Sequence, residues 1–185
     1  MRKKFIEVYD NILNSSLSDM IEEFIIGEKP RIPQYYTPNI AVRKSTSPGF
    51  GLNVFGFQEK TKQIEYFEPY TFLLQEILYR FSYHRNLIIS QIDRIRVFTH
   101  LPSPNPGKDA IHTDSNDPHL VCLYYVNDSD GDTILFENDG ETEIKKIAPK
   151  KNKIVFFDGS IKHCSSRPSK STRSIINFNF HADFI

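Results

Sequence analysis

The 185-residue sequence has no tryptophan, only two cysteines and two methionines, and no excess of either charge: 23 basic and 23 acidic residues cancel to a formal net charge of zero. A neutral total argues against a dedicated nucleic-acid binder, which needs a basic surface. No apolar stretch approaches about 20 residues, the length of a membrane-crossing helix, so no membrane partner is expected. The N-terminus meets Glu7 and Asp10 before any apolar run forms, which is not the pattern of a secretory signal. Cys122 and Cys164 sit in apolar, strand-like contexts. They read as free thiols in a reducing compartment, which makes the cytoplasm the expected location, with a single disulfide as the alternative. Internal repeats and an interdomain linker are also missing, so residues 1–185 read as one domain, large enough to bury a core.

What is present divides into an early helical part and a later strand-rich part. The first 30 residues read as helical: Leu17, Met20, Ile21, Phe24 and Ile25 follow the spacing of one apolar helix face. Ser15 or Ser16 would cap the start, and Gly27 with Pro30 would end it. A second helix is expected from about Pro69 to Tyr83, with Tyr70, Leu73, Leu74, Ile77, Leu78 and Phe81 as its stripe and Pro69 in its first turn. Strands are expected at Leu52–Gln58, Ile92–Thr99, Leu120–Asn127, Thr133–Glu137, Thr142–Ile147, Ile154–Phe157 and Arg173–His181. Two helices followed by evenly spaced short strands predict a mainly β sandwich or jelly roll braced by helices on one side. Residues 29–49 form a long stretch rich in proline and serine, and loops of that length are uncommon unless functional or mobile.

The chemistry concentrates in the second part. His112 and Asp114 are two apart, so in an extended segment both side chains point to one side and can hold one metal ion. The third ligand would come from His84, His100, His119, His163 or His181. His163 stands out because it follows the apolar strand Lys-Ile-Val-Phe-Phe. Two histidines and one carboxylate leave open coordination positions, as non-haem Fe(II) oxygenases require. His119 reads as a loop residue, His181 as exposed and Cys164 as a packed thiol. Ten residues beyond His163, Arg173 opens a strand whose alternate residues are Arg173, Ile175, Asn177 and Asn179 on one face and Phe178 and Phe180 on the other. The polar face suits a ligand cavity, and an arginine there calls for an anion, a carboxylate above all.

The order His112-x-Asp114, His163, Arg173 resembles that of the Fe(II)/2-oxoglutarate-dependent oxygenases, specifically their prolyl 4-hydroxylase-like branch, over roughly residues 90 to 181. "VCLYYVN" at 121–127 is similar to the family's strand after the first motif, with its tyrosine pair. "DGDTILF" at 130–136 resembles its Gly-Gly turn and strand, with Asp132 in place of a glycine. "IAPKKNKIVFFDG" resembles the turn and strand leading to the distal histidine, with Asn152 in a glycine's place, a swap that a left-handed turn tolerates.

The resemblance implies a double-stranded β-helix (cupin-like jelly roll), with helical support over about 1–85 and the core over about 90–181. It also implies Fe(II) on His112, Asp114 and His163, 2-oxoglutarate as cosubstrate and O2 as oxidant, with ascorbate as a possible accessory. Arg173 would pair with the distal carboxylate of 2-oxoglutarate, Tyr125 would donate a hydrogen bond to it, and Leu123 and Asn177 would wall the cavity. Where relatives carry a tyrosine about ten residues before the first histidine, this chain reads "FTHLPSPNPG", with His100 or Leu101 nearby. Three functions follow as alternatives: hydroxylation of a peptidyl residue such as proline in a peptide or protein partner, with residues 29–49 (Arg43 and Lys44 among them) folding over it; the same chemistry on a small molecule; or a jelly-roll protein that holds zinc without oxygenase activity. Tyr125 as an ordinary core tyrosine stands beside its binding role.

Overall fold

The computed structural model describes residues 4–38, 47–58, 63–105 and 107–185. Arg43 and Lys44 lie outside them.

Two sheets face each other as a jelly roll, and two helices brace the larger. Its strands are β1 (Ile6–Asp10), β2 (Tyr35–Thr37), β3 (Gly49–Gln58), β4 (Gln63–Tyr66), β5 (Leu87–His100), β6 (Leu120–Tyr125), β9 (Lys153–Asp158) and β11 (Arg173–Phe184). Their order is β1-β9-β6-β11-β5-β3-β2, with β4 paired to β3. The smaller sheet runs β10-β7-β8, built from β7 (Thr133–Phe136), β8 (Glu143–Ile147) and β10 (Lys162–Ser165). Every pairing is antiparallel.

Alternation along the central strands sorts their side chains into two cores. Leu120, Cys122 and Tyr124 of β6, Ile154 and Phe156 of β9, and Ile176, Phe178 and Phe180 of β11 join Ile21 and Ile25 of α1 (Ser15–Ile26) and Leu74, Ile77, Leu78 and Phe81 of α2 (Tyr70–Arg85). The residues between them, Val121, Leu123, Tyr125, Val155, Phe157 and Ile175, meet Leu135 and Ile147 of the smaller sheet. Burial on both faces is why these strands read as continuous apolar runs.

The first 30 residues depart from the expected single helix. Ile6–Asp10 pairs with the free edge of β9, and its β-branched and aromatic residues favour that extended form. The helix follows this strand, and the Asn14 side chain, not Ser15 or Ser16, caps it by accepting the Leu17 amide at 2.9 Å. Pro69 precedes the second helix as its cap residue, and Asn86 ends it in the left-handed conformation. Asn152 has φ of 64°, and its side chain bonds the Leu13 amide and carbonyl, which ties the turn before β9 to the start of α1. No helix among the described residues is long and apolar enough to cross a membrane.

Candidate functional site

His112 and His163 are brought together by backbone pairing. They form an isolated antiparallel bridge in which each amide donates to the other's carbonyl, at 3.0 and 2.9 Å. Residues paired in this way project side by side, and the two ring centres are 4.6 Å apart. Asp114, two residues on, turns to the same side. One ligand atom from each of His112, Asp114 and His163 lies within 4.8 Å of the others. His84, His100, His119 and His181 stand outside this cluster.

The cluster has the donor set that could hold a metal ion. Nδ1 of His112 lies 2.9 Å from the Ala110 carbonyl, and Nδ1 of His163 lies 3.2 Å from that of Ile161. A carbonyl can only accept, so each Nδ1 carries the hydrogen and each Nε2 keeps its lone pair. Both Nε2 atoms are 3.9 Å from an Asp114 oxygen. Burial lowers the pKa of His163 and keeps its ring neutral. Burial alone would raise the Asp114 pKa, but His163, Arg94 and two amides outweigh it and hold the carboxyl well below the usual range. Those contacts are Asn177 and Asn179 Nδ2, each donating to Oδ2 at 2.9 Å, and Arg94 Nη2 at 3.1 Å from Oδ1. Two imidazoles that present Nε2 and an ionised carboxylate fit Fe(II) or Zn(II) with open positions.

A second polar end of the cavity lies along β11. Across the sheet Arg173 faces His100, Ile175 faces Phe98 and Tyr125, Asn177 faces Arg96 and Leu123, and Asn179 faces Arg94 and Val121. Asn177 and Asn179 hold Asp114, so Arg173, four residues before Asn177, sits about 13 Å along the strand from the cluster's support. Arg173 is 2% exposed. Its Nη2 donates to Thr133 Oγ1 at 2.7 Å, and the Tyr125 hydroxyl donates to the same oxygen at 2.6 Å. Its Nε has no hydrogen-bond partner, and it makes no ion pair among the described residues. Burial lowers its pKa. A buried guanidinium in this state is costly until an anion meets it.

A cavity of about 190 Å3 joins the two ends. His112, Asp114, His163, Arg173, Leu123 and Asn177 all line it. Asn177 does so with its amide committed to Asp114, and its Oδ1 is buried without a partner. Tyr125 is fully buried behind Thr133, which takes the place on the wall. Sequence reasoning missed Thr133 and, on β5, Arg94, Arg96 and Phe98, which alternate with His100 into the cavity while Ile95 and Val97 pack toward the helices. Period two across "RIRVFTH" was the available signal. Cys164 also lines the wall, its thiol pKa pushed up to about 11 by burial. Both cysteines are free and buried. His119 is a buried loop residue, and His181 is half-exposed beside Asp93 at 3.0 Å.

His100 is 3% exposed and has Nε2 3.4 Å from Asp109. Burial, with the charge of Arg173 behind it, lowers its pKa against the pull of Asp109. His100 and His163 therefore bind fewer protons folded than unfolded. Above the ordinary histidine value of about 6.5 neither form is charged and nothing is lost; as pH falls below it the unfolded chain takes up the protons and stability falls. The metal-free protein should melt at progressively lower temperature between about pH 6.5 and 5. His100→Gln, which cannot titrate, should flatten that loss in melting curves recorded across the range.

Residues 99–181 match the family model of the 2OG-Fe(II) oxygenase superfamily, a little under half of the chain. No curated protein gives a significant sequence match. Among solved structures, an oxidoreductase of the 2OG-Fe(II) oxygenase family from Burkholderia pseudomallei aligns over 96% of this chain and 84% of its own, at 10% identity and a TM-score of 0.69. A prolyl hydroxylase from Trichoplax adhaerens, in complex with a hypoxia inducible factor peptide fragment, aligns over 95% and 82%, at 16% identity and 0.61. The non-heme alpha ketoglutarate dependent epimerase SnoN from nogalamycin biosynthesis aligns over 97% and 78%, at 8% identity and 0.61. At these identities the likeness is one of fold.

Proposed function

With residues 99–181 belonging to the 2OG-Fe(II) oxygenase superfamily, we propose that the chain is a dioxygenase that hydroxylates a peptidyl residue such as proline. One observation carries the reading: a three-residue N/O cluster and a buried arginine with no ion pair among the described residues stand at opposite ends of one cavity. In this reading His112, Asp114 and His163 hold Fe(II), and Arg173 takes the distal carboxylate of 2-oxoglutarate. The bound pair would supply the oxidising power, consuming O2 and releasing carbon dioxide and succinate. Asn177, Asn179 and Arg94 keep Asp114 ionised and oriented, and the backbone carbonyls keep both rings in the ligating tautomer. A zinc protein without oxygenase activity would leave Arg173 unexplained. The peptide substrate is supported by the prolyl hydroxylase likeness and by the open groove beside the cavity, where Tyr35 and Tyr36 are more than half exposed.

The test is succinate release from 2-oxoglutarate with Fe(II), with and without proline-containing peptides. Peptide-stimulated succinate, with a 16-dalton gain on the peptide from one added oxygen, is expected. No succinate under any condition would remove the reading.

Thr133 offers a finer test. Its oxygen accepts from Tyr125 and Arg173, so its own hydrogen remains for a third partner. Thr133→Val should therefore weaken 2-oxoglutarate about five- to thirtyfold, the effect of a bond worth about 1–2 kcal/mol. Fe(II) affinity should not change. Equal titration curves for the two proteins would show that the Thr133 hydroxyl plays no part in binding the acid.

A further inference from the structure

We propose that Arg96 receives a carboxylate carried by the substrate, so that the site takes acids: peptides with an acidic group near the oxidised residue, or small carboxylic acids. This rests on the oxygenase reading above and narrows its substrate.

Two arginines of β5 face the cavity at the cluster's end, and they differ in one respect. Arg94 has its carboxylate, Asp114. Arg96, in register with Asn177, makes no ion pair among the described residues, and its Nε is buried without a hydrogen-bond partner. Its guanidinium carbon lies 4.2 Å from the centre of the Phe98 ring, which holds the planar fork in place. Burial and the neighbouring charge of Arg94 lower its pKa to about 10 against the pull of Asp114 and Glu65, neither of which forms an ion pair with it, and it is still protonated at neutral pH. An arriving anion relieves both penalties.

Position gives this charge its role. Arg96 and Phe98 line the cavity and also a second hollow of about 200 Å3 that opens beside it, bounded by Tyr35, Tyr36, Thr37 and Asn53. A substrate moving from that hollow toward the cluster passes the Arg96 fork. The distal acid of 2-oxoglutarate is already provided for at the other end, by Arg173. The competing claim on Arg96 is the keto-acid end of 2-oxoglutarate, which is also anionic, and the experiment must separate the two.

The test is equilibrium binding to protein loaded with Zn(II) and 2-oxoglutarate, which cannot turn over. Titrants are matched pairs: proline-containing peptides with glutamate or glutamine beside the proline, and N-acetylproline against its amide. The peptide pair and the small-molecule pair distinguish the two sources of the carboxylate. Wild type should bind the acid of at least one pair about tenfold or more tightly than its amide, the scale of a charge-assisted bond. Arg96→Gln should abolish that preference, and Arg96→Lys should keep part of it, with 2-oxoglutarate affinity within about twofold of wild type in both. Acids that bind no better than amides in either pair would overturn the proposal. So would an Arg96→Gln protein that loses affinity for 2-oxoglutarate, because Arg96 would then serve the cosubstrate. Failure of 2-oxoglutarate to bind the wild-type protein would instead sink the oxygenase reading.

Discussion

Asp114→Ala is expected to bring 2-oxoglutarate turnover down to background while the protein still folds. The carboxylate is the only acidic member of the cluster, and Asn177, Asn179 and Arg94 all converge on it. Losing a group that merely orients a ligand costs about 10–100-fold in metal affinity, so losing the ligand itself should cost more. Stability should change much less. The alanine leaves two amides and a guanidinium without their acceptor, a penalty of about 1–3 kcal/mol for such groups. They lie on a cavity wall where water can replace the carboxylate. Fe(II) retention on dialysis, succinate release and a melting curve on the same preparation measure the three effects separately. Wild-type turnover in the mutant would place the metal elsewhere.

Arg173→Ala should raise the apparent dissociation constant for 2-oxoglutarate about ten- to a hundredfold, the loss of a charge-assisted interaction of about 1.5–3 kcal/mol. Fe(II) affinity without the acid should stay near wild type, because the arginine and the cluster occupy opposite ends of the cavity. Arg173→Lys should lose less, since the charge survives but the fork does not. Arg173→Met removes a buried charge that has no ion pair among the described residues, so the ligand-free protein should be at least as stable as wild type. A tight-binding Arg173→Ala protein would move the acid receptor to another residue.

The elements of the site were legible in the sequence to very different degrees. The His112/Asp114 spacing, the apolar strand before His163 and the polar face of Arg173–Asn179 are local patterns, so sequence alone could group them. What β5 contributes depends on which face of a strand meets the smaller sheet. Arg94, Arg96 and His100 are charged or polar residues alternating with Ile95, Val97 and Thr99, a pattern that fits a solvated face as well as a cavity wall. Only the pairing of β5 with β11 decides between them. Tyr125 was legible as a buried tyrosine near Arg173, but Thr133, which carries its contact to the cavity, comes from the other sheet. The strand Ile6–Asp10 was hidden for a related reason: five residues beside a strong helix pattern become a strand only because β9, more than 140 residues later, offers an open edge. Asn177, read as a wall residue, does line the cavity, and its amide's contact with Asp114 is what the sequence did not show.

The central claim is that one molecule spans the metal cluster and Arg173. Its most direct test compares 2-oxoglutarate with 2-oxopentanoate, which has the same keto-acid end and chain length but lacks the distal carboxylate. Each is titrated under nitrogen into the Fe(II)-loaded protein, reading the metal-to-ligand absorption band. Wild type should bind 2-oxoglutarate at least about tenfold more tightly, and Arg173→Ala should bind the two acids alike. Equal affinity of the wild-type protein for both acids would contradict the account.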